Sequence, residues 1–264
     1  MDIKNLIKNL SLSPWRVSLL RSASLGLSVS RYTSSSDSAS RDDNHAPRLG
    51  NPDFLSGSPR KQVEKSAYRF ERYCGIDRWA SYHYQLTEII AVKPASVLEV
   101  GVGDGVICGY LSRNTEIEYT SVDIADDVGA DVIGSITALP FAGDSFDVVC
   151  AFEVLEHLPF EKLGTSLFEL ARVAKKKVII SVPHFGPPIA FRFKLPFLPE
   201  VSLALKIPFP LTHVWNGQHY WELGKRGYTV RRFRTHLEKH FTLEKEFVPF
   251  ENQYHHFFVL APKV

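Results

Sequence analysis

Cysteine is scarce in this 264-residue chain: Cys74, Cys108 and Cys150 are the whole complement. Three scattered thiols do not build a disulfide framework or a cysteine zinc site, and Cys108 and Cys150 stand in apolar surroundings that suit small buried hydrophobes. That economy fits a reducing compartment, and a cytoplasmic location is expected. No uninterrupted apolar run of roughly eighteen residues occurs, so no segment reads as a membrane-spanning helix. Charge of one sign is not in excess either. A formal net charge of +2 is too weak a field to argue for nucleic acid as a partner. A cleavable secretory signal is not expected, because no compact apolar core precedes a small-residue site near the N-terminus. No internal repeat is visible.

The start of the chain differs from the rest. Ile3, Leu6, Ile7 and Leu10 recur at helical spacing beside Lys4 and Lys8, and five basic residues against Asp2 alone occur up to Ser36. Three readings stay open. Residues 1–25 make an amphipathic helix that contacts a membrane surface or the protein's own body, an organelle transit peptide, or a short helix followed by a disordered tail. Residues 34–60 are rich in Ser, Pro, Gly, Asn and Asp and read as a linker. The expected division is therefore an N-terminal segment over 1–60 and a folded domain over 61–264.

Inside that domain, Ser96-Val97-Leu98-Glu99-Val100 is an apolar run with one acid, which suits a buried parallel strand. Gly101, Gly103 and Gly105 follow and permit a tight turn with close approach to a ligand. A second apolar run, Tyr119-Thr120-Ser121-Val122, ends on Asp123, where an acid can grip ribose hydroxyls at the end of a strand. The spacing Gly-x-Gly-x-Gly is not that of a pyrophosphate-binding turn, and Glu99 repels a pyrophosphate but tolerates a cation. Further strands are expected near 131–133, 147–152 and 177–182, with helices over 104–113 and 161–174. Residues 61–92 read as helix in two pieces, broken near Cys74-Gly75. The end of the chain reads as two strands, 241–248 and 255–261. This alternation predicts a parallel sheet with right-handed crossovers.

These residues resemble the class I S-adenosylmethionine-dependent methyltransferases. The resemblance continues through Ser135 to Phe141, Asp144 to Val149, Ala151 to Leu158 and Lys177 to Pro183, and so covers roughly residues 80–185 in order. It implies a three-layer, Rossmann-like α/β sandwich whose mostly parallel seven-stranded sheet carries one antiparallel C-terminal strand. It implies S-adenosyl-L-methionine as cofactor. Glu99 would face the methionine ammonium, Gly101, Gly103, Asp104 and Gly105 would line methionine and ribose, and Asp123 would accept the ribose hydroxyls. Ile124 would pack on adenine, Ser135 and Ile136 would border it, and Phe152 would edge the transfer centre. Many relatives carry an acid where Ser135 stands, which weakens the adenine contact here. Trp79 and Tyr82 occupy a region that often roofs the cofactor in the family.

The acceptor side is less explicit. His157 is a candidate base because its ordinary pKa lies near neutrality, and Glu153 borders the same centre. Glu153, Glu156 and His157 also resemble a metal-binding motif of ubiquinone-pathway and small-RNA O-methyltransferases, with His184, His213 or His219 as a fourth ligand; the same cluster occurs in relatives without metal, and no metal ligand is assigned. Residues 184–221, full of proline and aromatics, read as a lid over the substrate or a flap over the core. The expected activity is methyl transfer to oxygen or nitrogen of a small-molecule acceptor. A cofactor-binding module without catalysis and a nicotinamide-dependent oxidoreductase are the alternatives.

Overall fold

The structure, a computed structural model, describes Val63 and residues 65–263. The segment 1–60, with its amphipathic and linker readings, lies outside the described residues.

A 3-10 turn at Lys65–Tyr68 and a short helix α1 (Phe70–Tyr73) lead to α2 (Ile76–Ala91), and Gly75 separates the two helices as the sequence predicts. The sheet then builds from β1 (Ser96–Val100), β2 (Glu118–Asp123), β3 (Val132–Ile133), β4 (Phe146–Phe152) and β5 (Ala174–Pro183). Helix α3 (Val106–Asn114) crosses from β1 to β2, and α4 (Leu163–Val173) crosses from β4 to β5. After a hairpin of β6 (Pro188–Phe193) and β7 (Val201–Lys206), helix α5 (Val230–Leu237) precedes β8 (Phe241–Phe247) and β9 (His255–Pro262).

The seven strands of the main sheet run in the order β3-β2-β1-β4-β5-β9-β8. The pairs from β3 through β5 are parallel, and β9 is antiparallel to both β5 and β8. One strand, β9, therefore runs against the rest, as expected. Residues of β1, β4 and β5 are buried almost throughout, because helices cover both faces of a parallel sheet. Leu98, Val149 and Ile180 pack with Leu167 of α4 and Phe233 of α5 on one face. Val97, Val148 and Ile179 pack with Ile89 of α2 and Leu111 of α3 on the other. The strand order reverses between β1 and β4, so the crevice at their carboxyl ends is the topological switch point where such sheets take ligands.

The segment 184–221 is not one continuous cover. Its first half forms the β6–β7 hairpin, every residue of β6 is exposed, and Phe197 at the tip is fully so.

Candidate functional site

A cavity of about 320 Å³ opens at the carboxyl ends of β1, β2, β3 and β4. Gly101 shapes its floor. The residue has φ +85°, and a Cβ built there would come 2.4 Å from Val154 Cγ2, so only glycine lets the β1 turn pass beneath the post-β4 loop. Asp123 holds the turn from the side: its carboxylate accepts from the Val102 amide (2.9 Å) and from the Ala125 amide (2.8 Å). Gly103, Ile124, Ser135, Ile136 and Phe152 complete this end of the wall, so these expected cofactor residues all face the cavity. A tight glycine floor beside a cavity-facing carboxylate fits a nucleoside.

Three of the expected cofactor contacts do not line the cavity. Glu99 is buried, does not line the cavity, and accepts a hydrogen bond from the Tyr119 hydroxyl. Burial pushes its pKa up to about 8, against the effect of that hydrogen bond. Asp104 and Gly105 also stay outside the lining. Asp104 accepts from the Tyr82 hydroxyl at 2.6 Å and from the Val106 amide at 3.4 Å, tying α2 to the start of α3. The roof differs too. Trp79 is half exposed and Tyr82 is spent on Asp104, while Tyr68, Tyr73 and Arg78 line the cavity instead. These residues stand far upstream of β1, and no motif in the sequence marks them.

The other end of the cavity holds Glu153, Glu156, His157, His219 and Tyr254. Glu153 has a left-handed backbone (φ +56°), a strained conformation for a non-glycine residue. Its amide donates to Ser181 O (3.0 Å) and its carboxylate accepts from Ser181 Oγ (2.8 Å). Burial raises its pKa to about 7. Residues Leu155–His157 form a 3-10 turn, so the one-face α-helical spacing expected for Glu153, Glu156 and His157 is broken. Glu153 turns to β5, whereas Glu156 and His157 meet His219, with one donor atom from each within 4.8 Å of the others.

Chain geometry brings His219 there. The Tyr220 amide donates to Glu156 O (2.8 Å), and the buried Trp221 indole donates to Leu158 O (3.1 Å). His157 Nδ1 donates to Gln218 O (3.1 Å) and His219 Nδ1 to the Glu222 carboxylate (3.2 Å). In the neutral rings this leaves the lone pair on Nε2. Burial holds the His157 pKa down at about 4. Neither carboxylate oxygen of Glu156 has a hydrogen-bond partner, and burial raises its pKa well above the ordinary range. Of the segment 184–221, only Gln218 and His219 reach the cavity among the described residues.

A family model described as a methyltransferase domain matches residues 98–182, the span from β1 to the end of β5. No curated protein sequence matches the chain. Among solved structures, 1,6-didemethyltoxoflavin-N1-methyltransferase of Burkholderia thailandensis, with 1,6-didemethyltoxoflavin and S-adenosylhomocysteine bound, is similar at 19% identity and a TM-score of 0.50, over 84% of this chain and 94% of that one. Magnesium protoporphyrin IX methyltransferase of Synechocystis PCC 6803, with S-adenosylhomocysteine bound, is 14% identical with a TM-score of 0.48, over 71% of this chain and 84% of that one. Residues 98–182 thus carry a methyltransferase domain on a Rossmann-like sheet, the fold of the class I S-adenosylmethionine-dependent methyltransferases, and that domain supports S-adenosylmethionine as the cofactor.

Proposed function

We propose that the cavity transfers a methyl group from S-adenosylmethionine to oxygen or nitrogen of a small-molecule acceptor, the donor lying at the Asp123 end and the acceptor at the Glu153 end. The observation that carries this reading is the division of one cavity between a glycine-floored wall with Asp123 and an opposite wall of buried acids and histidines. When bound, the cofactor supplies an electrophilic methyl on a sulfonium. The chain's own residues then align the acceptor, exclude water and take up its proton.

Asp123 suits the ribose hydroxyls because its carboxylate is already oriented by two amides. Between the two candidate bases the geometry favours Glu153. A carboxylate poised at about 7 can take a proton near neutral pH, whereas His157 at about 4 is a weak acceptor. The donor set of Glu156, His157 and His219 fits a divalent ion of borderline character, with two imidazoles, one carboxylate and Glu222 orienting His219. Such an ion would supply Lewis-acid polarisation of an acceptor oxygen.

The test is calorimetric. Asp123→Ala should weaken S-adenosylhomocysteine binding at least ~10-fold, because charge-assisted hydrogen bonds contribute roughly 1.5–3 kcal/mol. Unchanged affinity would place the nucleoside elsewhere and sink the reading.

A further inference from the structure

The β6–β7 hairpin places Ile189, Phe191 and Phe193 opposite Leu205, Leu203 and Val201. Opposed residues of an antiparallel pair point to one side, and all six remain exposed among the described residues. The tip goes further. The Leu198 amide donates to Leu195 O (3.3 Å) and closes a turn in which Phe197 follows Pro196. Phe197 has φ +67°, a left-handed backbone that in such a turn ordinarily calls for Gly or Asn. Its ring is nevertheless fully exposed, so no packing within the described residues offsets the strain. A strained backbone that holds an aromatic ring out in water points to a ligand outside the chain.

Three properties select the ligand. The six side chains are hydrocarbon throughout, whereas protein interfaces carry about one hydrogen bond per 100–200 Å². The side is also small: with Leu195, Phe197 and Leu198 added at the tip, it falls well short of the roughly 20–30 residues that each partner of a stable dimer presents. Its surroundings are positive. Between Pro188 and Leu211 stand Arg192, Lys194 and Lys206 against Glu200 alone. Glu200 and Glu251 are both held by Arg192, and Lys194 stays exposed beside Phe193. The exposed Arg226 adjoins the same stretch through its amide, which donates to Leu211 O at 2.8 Å. Apolar area flanked by cations binds anionic lipid. We infer that the β6–β7 hairpin docks on an anionic lipid surface, with Phe197 inserted and the apolar side at the boundary between headgroups and acyl chains. The hairpin lies on the surface and does not cross it. Strands of six residues are shorter than the ~9–11 needed to span, and the open edges of a two-stranded sheet keep water or headgroups as hydrogen-bond partners.

Co-sedimentation of the full chain with lipid vesicles tests this. Phosphatidylcholine vesicles containing about one quarter phosphatidylglycerol should carry the wild-type protein down, and pure phosphatidylcholine should carry less. Phe197→Gly relieves the left-handed backbone, so its melting temperature should not fall below wild type by more than ~2 °C. It should nevertheless bind the anionic vesicles ~10-fold or more weakly, the effect of withdrawing one aromatic side chain from an apolar phase. Lys194→Gln should weaken binding to the anionic vesicles ~5-fold and leave binding to phosphatidylcholine unchanged. Both variants keep residues 1–62, so their losses assign the contact to the hairpin. Wild-type protein that ignores the anionic vesicles, or binds both kinds equally, overturns the inference. Phe197→Gly bound as tightly as wild type overturns it too. A wild-type dimer at sedimentation equilibrium that Phe197→Gly dissolves, without vesicle binding by either protein, would give the side to a second copy of the chain and overturn the lipid assignment.

Discussion

Glu156 sits in the interior with both carboxylate oxygens unpaired, a costly arrangement for an ionised group. Burial shifts its pKa well upward and so favours the neutral form in the protein alone, and the adjacent imidazoles offer a different remedy when a cation is present. Manganese or zinc should therefore raise the melting temperature of the wild-type protein. Glu156→Gln, a near-isosteric neutral replacement, should melt like wild type without metal and lose the metal-dependent rise. A wild-type melting temperature that ignores both ions removes the site. The contrast with Asp123 explains which residues the sequence reveals. Asp123 is legible because its role depends on its place at the end of one strand, a fixed distance from one turn. Glu99 has an equally suggestive place, but its partner Tyr119 is set by the β1–β2 register, in which Val97 faces Tyr119 and Glu99 faces Ser121. That diagonal neighbour takes the carboxylate away from the cavity. Arg78 and Tyr68 reach the cavity through helix packing that no local pattern encodes.

The β6–β7 hairpin is the element that the sequence conceals. Ile189 pairs with Leu205, Phe191 with Leu203 and Phe193 with Val201, and directly opposed residues of an antiparallel pair point to the same side. One side of the hairpin is thus wholly apolar, and all six side chains are exposed. The other side is anchored: Arg192 pairs with Glu251 and stacks on Phe250, and Lys206 donates to His184 O at 2.6 Å. Because no described residue covers the apolar side, Phe191→Ser and Leu203→Ser should each move the melting temperature by less than ~2 °C, the range of surface substitutions. Static light scattering at rising concentration should show less self-attraction in both variants. A melting loss beyond ~5 °C would show that the side is covered after all. Sequence reading failed here because Pro188, Pro196 and Pro199 look like breakers, whereas Pro188 opens a strand and the other two lie in the turn. It succeeded at β1, β4 and β5 because strands buried on both faces leave short apolar runs bounded by turn residues. The 3-10 turn at Leu155–His157 was beyond it, since Glu-x-x-Glu-His fits an α-helix equally well.

At the scale of the whole domain, buried ionisable groups of two kinds oppose each other in setting stability against pH. Burial holds His157 and His184 down at about 4 and His255 at about 3. These depressed groups add stability that is complete above their unfolded value of ~6.5 and is lost as pH falls through the folded values. Burial raises Glu153 to about 7 and Glu99 to about 8. These raised acids add stability that is complete below their unfolded value of ~4.3 and is lost as pH rises through the folded values. Between ~4.3 and ~6.5 the two sets pull in opposite directions and largely offset. Above ~6.5 the histidines are neutral in both states and the carboxyls lead, opposed toward the upper end by Lys206, which burial holds down at about 8 and which therefore loses its proton earlier in the folded chain than in the unfolded one. The melting temperature of the ligand-free protein should therefore fall as pH rises from 6.5 to 8.5. Glu99→Gln keeps an acceptor for the Tyr119 hydroxyl and removes one of the titrating groups. It should flatten that fall in its upper part, near the Glu99 value. A melting temperature in Glu99→Gln with the same slope as wild type over that interval would show that Glu99 ionises as freely in the folded chain as in the unfolded one, against its burial beside Tyr119.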